Sequence, residues 1–129
     1  MIDSPSAEIG FGRVAAMIPV KDIERACAFY VGALGFKRTF ENGQPVGFVI
    51  LKTGEAEIHL TRQEHHRAAP FNIAHILVDD VERMHALCRR HGLRIVKGLR
   101  DKDYGLRAFV FEDPDGNRID VGQPIVRLR

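Results

Sequence analysis

The sequence predicts an α+β protein made of two βαβββ modules, and an internal repeat is the main reason. Residues 18–25 (IPVKDIER) recur 58 positions later as residues 76–83 (ILVDDVER), with Ile, Val, Asp, Glu and Arg at matching places. Each copy leads into a helical pattern that ends at a glycine, and strand-like segments follow. Such a repeat indicates one supersecondary unit that occurs twice. The length of 129 residues suits one domain with a sizeable core.

The first module begins with an apolar, β-prone segment at residues 14–20. Asp22 is suited to cap a helix, because its carboxylate can accept hydrogen bonds from the free amides of the first turn. Apolar residues from Ile23 to Leu34 recur at helical spacing, and Gly35 is expected to end the helix. Three further strands are expected, separated by glycine-containing turns, at residues 36–41, 46–52 and 56–61.

The second module repeats this plan, with Asp80 as the expected helix cap and Gly92 as the expected end. Residues 113–117 (DPDGN) are a strong hairpin signal, because proline presets φ and Gly116 can adopt the left-handed conformation. The later strands are predicted at residues 94–98, 106–112 and 118–122. The predicted division is a flexible arm (1–12), one domain (13–125) with modules at 13–62 and 71–122, and a tail (126–129).

Composition narrows the classes of function. The net charge of +2 comes from scattered basic residues without an aromatic platform among them, so we expect no nucleic-acid partner. No segment approaches the length of a membrane-spanning helix, and the first twelve residues lack the apolar run of a signal peptide. We therefore expect a cytoplasmic protein without a membrane partner, in which Cys27 and Cys88 are reduced and buried.

A family resemblance is carried by two motifs: PVKDIER at 19–25, with Phe29-Tyr30 and Leu34-Gly35-Phe36 after it, and FVFEDPDGNRI at 109–119. In this order they resemble the glyoxalase / bleomycin-resistance / dioxygenase (vicinal oxygen chelate, VOC) superfamily over residues 13–125. Residues 104–109 and 120–124 are most similar to bleomycin-resistance-like proteins. The resemblance implies a curved sheet around a cavity, and a homodimer with grooves at its interface and an N-terminal arm that could be exchanged.

The resemblance also implies a divalent metal held by four inward side chains, usually His or Gln, Glu, His and Glu. Carried over by motif, these positions are Ala15, His59, Ile73 and Asp120. Ala15 and Ile73 cannot bind a metal, so we expect no cofactor. One alternative stays open, because His75 lies two residues after Ile73 on the same strand face. A displaced set of His59, His75 and Asp120 could bind a metal; otherwise the two histidines are polar residues of the cavity wall.

Side-chain alternation assigns a mixed group of residues to the inward face. This group is Ala15, Met17, Glu57, His59, Ile73, His75, Leu77, Arg118 and Asp120. A few polar groups among apolar ones suit a small-molecule site, although Met17, Ile73 and Leu77 could equally be ordinary core residues. The resemblance to bleomycin-resistance-like proteins adds four candidate ligand contacts, Asp101, Asp103, Tyr104 and Arg107.

Charge bears on the choice of ligand. Bleomycin is cationic and its binders look acidic, whereas this chain is net positive. A local acidic groove could still form if the scattered carboxylates converge, namely Glu41, Glu57, Asp101, Asp103 and Asp120.

Three functions therefore remain open. The first is a metal-independent protein without catalytic residues that binds an antibiotic or metabolite and acts by sequestration. The second is a metal-dependent VOC enzyme, such as a glyoxalase-type lyase or isomerase, a dioxygenase or a thiol transferase. The third is a structural or regulatory dimer with a vestigial cavity. Only the second requires His59 and Asp120 to bind a metal.

Overall fold

The computed structural model describes residues 8–125, so the start of the predicted arm and the tail at 126–129 lie outside the described residues. Within this range the elements follow the predicted order, βαβββ twice. They are β1 (Ala16–Val20), α1 (Ile23–Tyr30), β2 (Lys37–Asn42), β3 (Phe48–Thr53), β4 (Ala56–Arg62), β5 (Asn72–Leu77), α2 (Val81–Arg90), β6 (Ile95–Asp101), β7 (Leu106–Glu112) and β8 (Arg118–Pro124).

Each module forms its own four-stranded mixed sheet. The strand orders are β1-β4-β3-β2 and β5-β8-β7-β6. The first strand of each module runs parallel to the last strand of that module, and the other neighbours are antiparallel. A parallel neighbour requires a crossover, which the helix of each module supplies. The predicted α+β fold of paired modules is confirmed, and the strands β1 and β5 lie side by side.

Both helices begin where the sequence predicts. The carboxylates of Asp22 and Asp80 each accept a hydrogen bond of 3.0 Å from the amide three residues ahead. The regular part of α1 ends at Tyr30, four residues before the expected limit. A closing turn follows, in which the Phe36 amide donates to the Tyr30 carbonyl at 3.0 Å and Gly35 has φ +83°. This bond spans six residues and needs the left-handed conformation, which glycine adopts readily, so the stop is correctly predicted while the last turn is not regular helix.

One hydrophobic core unites the two modules. Phe29 of α1 packs edge-on against Tyr30, and against Phe111 of β7 in the other module, with ring centroids 4.8 and 6.1 Å apart. The buried side chains of both sheets belong to one cluster with these rings. Cys27 and Cys88 are buried free thiols in this cluster, as expected, and burial raises the pKa of Cys88 to about 12.

The DPDGN turn between β7 and β8 docks on the first module. Asp113 is buried, and its carboxylate accepts hydrogen bonds from the Tyr30 hydroxyl at 2.7 Å and from the Asn117 side-chain amide at 3.0 Å. The same Asn117 amide group donates to the Pro19 carbonyl at 2.9 Å. Burial raises the pKa of Asp113. Burial of the Tyr30 hydroxyl and the neighbouring Asp113 carboxyl group raise the pKa of Tyr30 well above its ordinary value. The turn therefore joins the modules through a buried polar network.

Neither helix of residues 8–125 has the length and apolarity that crossing a membrane requires.

Replacing Tyr30 with Phe should lower the free energy of unfolding by about 1.5–3 kcal/mol, the usual loss when a hydrogen bond to a charged group is removed. Urea denaturation measures the effect. Tyr104→Phe is the matched control, because the Tyr104 side chain is exposed, and it should leave the midpoint unchanged. Equal stability of the Tyr30 variant and the wild-type protein would contradict a stabilising role for the network.

Candidate ligand-binding site

The strand faces that point away from the core form two surfaces, here called the first and second open faces. In β3 and β4 these residues alternate with buried core residues, as the pleat requires, whereas in β7 Ala108 and Val110 of this face are buried as well. The first open face includes Met17, Lys37, Phe40, Phe48, Ile50, Lys52, Glu57 and His59. The second includes His75, Leu77, Lys97, Arg100, Ala108, Val110, Glu112, Arg118, Asp120 and Gly122.

Strand register shows that the two open faces are equivalent by the internal repeat. Across the first sheet the paired residues form a row, Met17, His59, Ile50 and Phe40. Across the second sheet the corresponding row is His75, Asp120, Val110 and Lys97. Met17 and His75 are 58 residues apart, which is the offset of the repeat. His59 on β4 and Asp120 on β8, both predicted to point inward, therefore occupy equivalent places in the two sheets.

An open cleft of about 670 Å³ lies where the edges of β1 and β5 meet. Five of the predicted inward residues line it, namely Ala15, Met17, Glu57, His75 and Leu77. Ile73 also lines the cleft, but a bulge between Asn72 and Ala74 interrupts the alternation of β5, and Ile73 packs against the core as well. The volume falls within the range of small-molecule sites.

Glu57 is the centre of a charged group on the first open face. Its carboxylate is 2.8 Å from His59 Nε2, 2.9 Å from the Arg13 guanidinium and 3.5 Å from the Lys52 ammonium. The hydrogen bond from His59 and the two cations lower the pKa of Glu57. The His59 ring also meets Phe48 edge-on, with centroids 5.3 Å apart. Glu57 is thus a carboxylate whose negative charge is balanced by Arg13 and Lys52, beside the aromatic ring of Phe48.

On the second open face, His75 and Asp120 form a hydrogen-bonded pair. His75 Nδ1 lies 2.7 Å from Asp120 Oδ2, across the β5–β8 register. A carboxylate only accepts hydrogen bonds, so Nδ1 carries the proton and Nε2 is left for a ligand. The ring leans over Gly122, where a Cβ atom would lie 3.3 Å from His75 Cε1. Glycine at this position therefore leaves room for the imidazole.

The four contacts that the resemblance adds do not join this group. The Arg107 guanidinium lies 3.0 Å from Asp101 and 3.2 Å from Glu82 of α2, which places the pair on the helix side of the second sheet. Asp103 and Tyr104 lie in the exposed turn between β6 and β7. Of the ten predicted ligand contacts, the structure places six on the open faces: Met17, Glu57, His59, His75, Arg118 and Asp120.

The carboxylates that could have formed an acidic groove do not converge. Arg38 pairs with Glu41 at 2.7 Å on the helix side of β2, and Asp101 is paired with Arg107. On the open faces, Glu57 and Asp120 are each hydrogen-bonded to a histidine. The acidic groove, which the sequence left open as a possibility, is therefore not formed among the described residues.

The residues present do not fit the metal of the family pattern. Ala15 and Ile73 offer no donor atom, and His59 and Asp120 are already engaged with Glu57 and His75. Within residues 8–125, no three His, Cys, Asp or Glu side chains come together in a group that could hold a metal ion. The displaced set of His59, His75 and Asp120 is thus not assembled in the described part of the chain.

Sequence reasoning missed several residues of the open faces. They are Lys37, Phe40, Phe48, Ile50, Lys52, Lys97, Arg100, Ala108, Val110, Glu112 and Gly122. In β3 and β7 apolar residues occupy both faces, so period-two alternation does not reveal which face is the core. β3 pairs with β4, and β7 pairs with β8. Because the inward residues of β4 and β8 were predicted, this pairing would have identified which residues of β3 and β7 lie on the same face.

Comparison with known proteins agrees with this architecture. Residues 10–121 match the model of the Glyoxalase/Bleomycin resistance protein/Dioxygenase superfamily. No match is found among curated proteins. Among solved structures, the chain is similar to TnmS3, an antibiotic binding protein from Streptomyces sp. CB03234. The identity is 25%, the TM-score is 0.74, and 91% of this chain and 99% of that chain are covered.

Two further structures share the fold. A bleomycin resistance determinant encoded on the transposon Tn5 is 21% identical with a TM-score of 0.76, covering 90% of this chain and all of that chain (100%). Lactoylglutathione lyase from Agrobacterium tumefaciens is 21% identical with a TM-score of 0.69, covering 90% and 96%. The family match spans most of the chain and the topology agrees with it, so this protein belongs to the Glyoxalase/Bleomycin resistance protein/Dioxygenase superfamily.

Proposed function

We propose that this protein is a metal-independent small-molecule binding protein of the bleomycin-resistance-like group. It holds an antibiotic or metabolite at the cleft and open faces and acts by sequestration, without catalysing a reaction. One observation carries the proposal: the positions that the family uses for a metal contain Ala15 and Ile73, and the two remaining polar residues are hydrogen-bonded to protein partners. A site of this kind can orient a ligand but has no Lewis acid to activate it.

The lining of the site supports ligand binding. Phe40, Phe48 and Ile50 provide a continuous apolar surface, on which the Phe40 and Phe48 rings meet edge-on at 6.2 Å. His59 adds an oriented polar group beside Phe48, and His75 adds another on the second open face. Apolar walls with a few fixed polar groups are usual for sites that bind small organic molecules. Two of the similar structures are described as an antibiotic binding protein and a bleomycin resistance determinant, which favours this ligand class.

The exposed residues of the open faces support a homodimer. Met17 and Leu77 are 55% and 60% exposed in the single chain, although they line the cleft between the modules. Apolar side chains grouped at a cleft and left in water favour association. A second copy related by a two-fold axis would cover both open faces at once, because each chain carries both. The ligand would then be enclosed between protomers.

The mass in solution tests the homodimer. Light scattering at micromolar concentration should give about twice the chain mass of 14.5 kDa. Leu77→Asp should shift the population toward the monomer, because it places a charge in the proposed interface. Glu64→Gln, in the segment between β4 and β5, should not. A single-chain mass for the wild-type protein at all concentrations would exclude the homodimer.

Binding itself is tested by thermal denaturation with a panel of aromatic antibiotics and aromatic metabolites. A compound present at a hundred times its Kd should stabilise the protein by about 2.7 kcal/mol and raise Tm by several degrees. His75→Ala should reduce the shift given by any compound that binds, and His91→Ala, at the exposed end of α2, is the matched control. A panel without any stabilising compound would favour the vestigial cavity instead.

Metal independence is tested by incubation with Ni²⁺, Mn²⁺, Fe²⁺ or Zn²⁺, desalting and counting of metal per chain by mass spectrometry. We expect no stoichiometric retention, since the donor set is incomplete. His59→Ala is measured in parallel. Near-stoichiometric metal in the wild-type protein that disappears in His59→Ala would replace this proposal with the metal-dependent enzyme, and assays for lyase and dioxygenase activity would follow.

A further inference from the structure

The strand residues of the open faces carry more positive than negative charge. Within residues 8–125, the strands place five cationic side chains on these faces: Lys37, Lys52, Lys97, Arg100 and Arg118. Against them stand three carboxylates: Glu57, Glu112 and Asp120. This excess lies on the same surfaces as the proposed ligand site, whereas the acidic residues of the helices lie elsewhere.

Each of the three carboxylates already has a hydrogen-bonding partner in the protein, and for Glu57 and Glu112 that partner is an arginine. Glu57 accepts a hydrogen bond of 2.9 Å from Arg13, in addition to its contacts with Lys52 and His59. Glu112 lies 2.7 Å from the Arg94 guanidinium, and Asp120 lies 2.7 Å from His75. A cationic ligand at Glu57 or Glu112 would therefore approach a carboxylate whose charge is already balanced by an arginine, so its electrostatic gain would be small.

The cations are less fully compensated. The Arg118 guanidinium donates to the Pro70 carbonyl at 3.2 Å, which satisfies one hydrogen bond but does not cancel the charge. Lys52 shares its single carboxylate, Glu57, with Arg13, and Lys37 lies opposite Lys52 on the neighbouring strand. Two like charges side by side on a strand pair repel each other unless an anion lies between them. An anionic group of a ligand would relieve that repulsion.

The apolar surface and the cations are spaced for one ligand. Phe48, Ile50 and Lys52 follow at alternate positions of β3, so the phenyl ring and the ammonium group belong to residues about 13 Å apart along the strand. Phe48 offers its surface to an aromatic ring, and Lys52 can reach back toward it along its flexible stem. An aromatic molecule with a negatively charged group at one end matches both features.

We infer that the ligand is a planar aromatic molecule that carries an anionic group, and that cationic ligands of the bleomycin type are disfavoured. This inference rests on the proposed function, since it names the ligand class of the same site. The aromatic part contacts Phe48 and Ile50, and the anionic group lies near Lys52 and Lys37 on the same open face.

Three anthracene derivatives with the same ring system test the inference. They are anthracene-9-carboxylate, the uncharged anthracene-9-carboxamide and the cationic 9-(aminomethyl)anthracene, each titrated with the wild-type protein and followed by fluorescence anisotropy. The carboxylate should bind about tenfold tighter than the ammonium compound, with the carboxamide between them. Added salt should weaken binding of the carboxylate and leave binding of the carboxamide nearly unchanged, because salt screens the attraction between exposed charges.

A double variant locates the effect. Lys37→Gln with Lys52→Gln should weaken binding of the carboxylate about three- to tenfold and leave binding of the carboxamide unchanged. Arg89→Gln with Arg90→Gln is the matched control, because it removes the same charge from the exposed surface of α2. Equal weakening by both double variants would overturn the inference, since net charge alone would then explain the preference.

The remaining outcomes separate the inference from the proposed function. Tighter binding of the ammonium compound than of the carboxylate would overturn the inference and leave small-molecule binding intact. Absence of binding by all three compounds would also overturn the inference. It would overturn the proposed function as well only if the panel of antibiotics and metabolites had left Tm unchanged.

Discussion

The carboxylate of Asp113 is buried between the two modules and accepts hydrogen bonds from both of them. Tyr30 contributes a hydroxyl from α1, and Asn117 links the same carboxylate to the end of β1 through the Pro19 carbonyl. A buried charge that lost these partners would cost several kcal/mol, so the DPDGN turn and α1 must keep their relative positions. The meeting of β1 and β5, and with it the cleft, depends on that arrangement.

Placing the helices and the shared core on one side of each sheet leaves the other side uncovered. The two open faces are repeat-related, yet their chemistry differs, because Met17 and His59 of the first are replaced by His75 and Asp120 at the equivalent positions of the second. Divergence of two equivalent sites within one chain produces an asymmetric site from a symmetric fold. The carboxylates on both faces are hydrogen-bonded to basic side chains of the protein.

Much of the fold was predictable because it depends on local patterns. Asp22 and Asp80 cap the helices as expected, since a cap involves only the amides of the next turn. Ile73 lines the cleft as predicted and also packs against the core, and the bulge in β5 next to it is a property of strand pairing that leaves no signal in the apolar pattern. The apolar stretches in β3 and β7 hid the open faces for a related reason, since both sides of these strands are apolar.

The sequence by itself determined the repeat, the order of elements and the loss of metal donors at Ala15 and Ile73, because residue identity alone excludes coordination. Only the tertiary structure decided which charges meet. Arg13 and Glu57 are 44 residues apart, and His75 and Asp120 are 45 residues apart. Such pairs depend on strand register and on the packing of the two modules, and a local sequence pattern contains no information about either. The electrostatic character of the site is therefore a property of the fold.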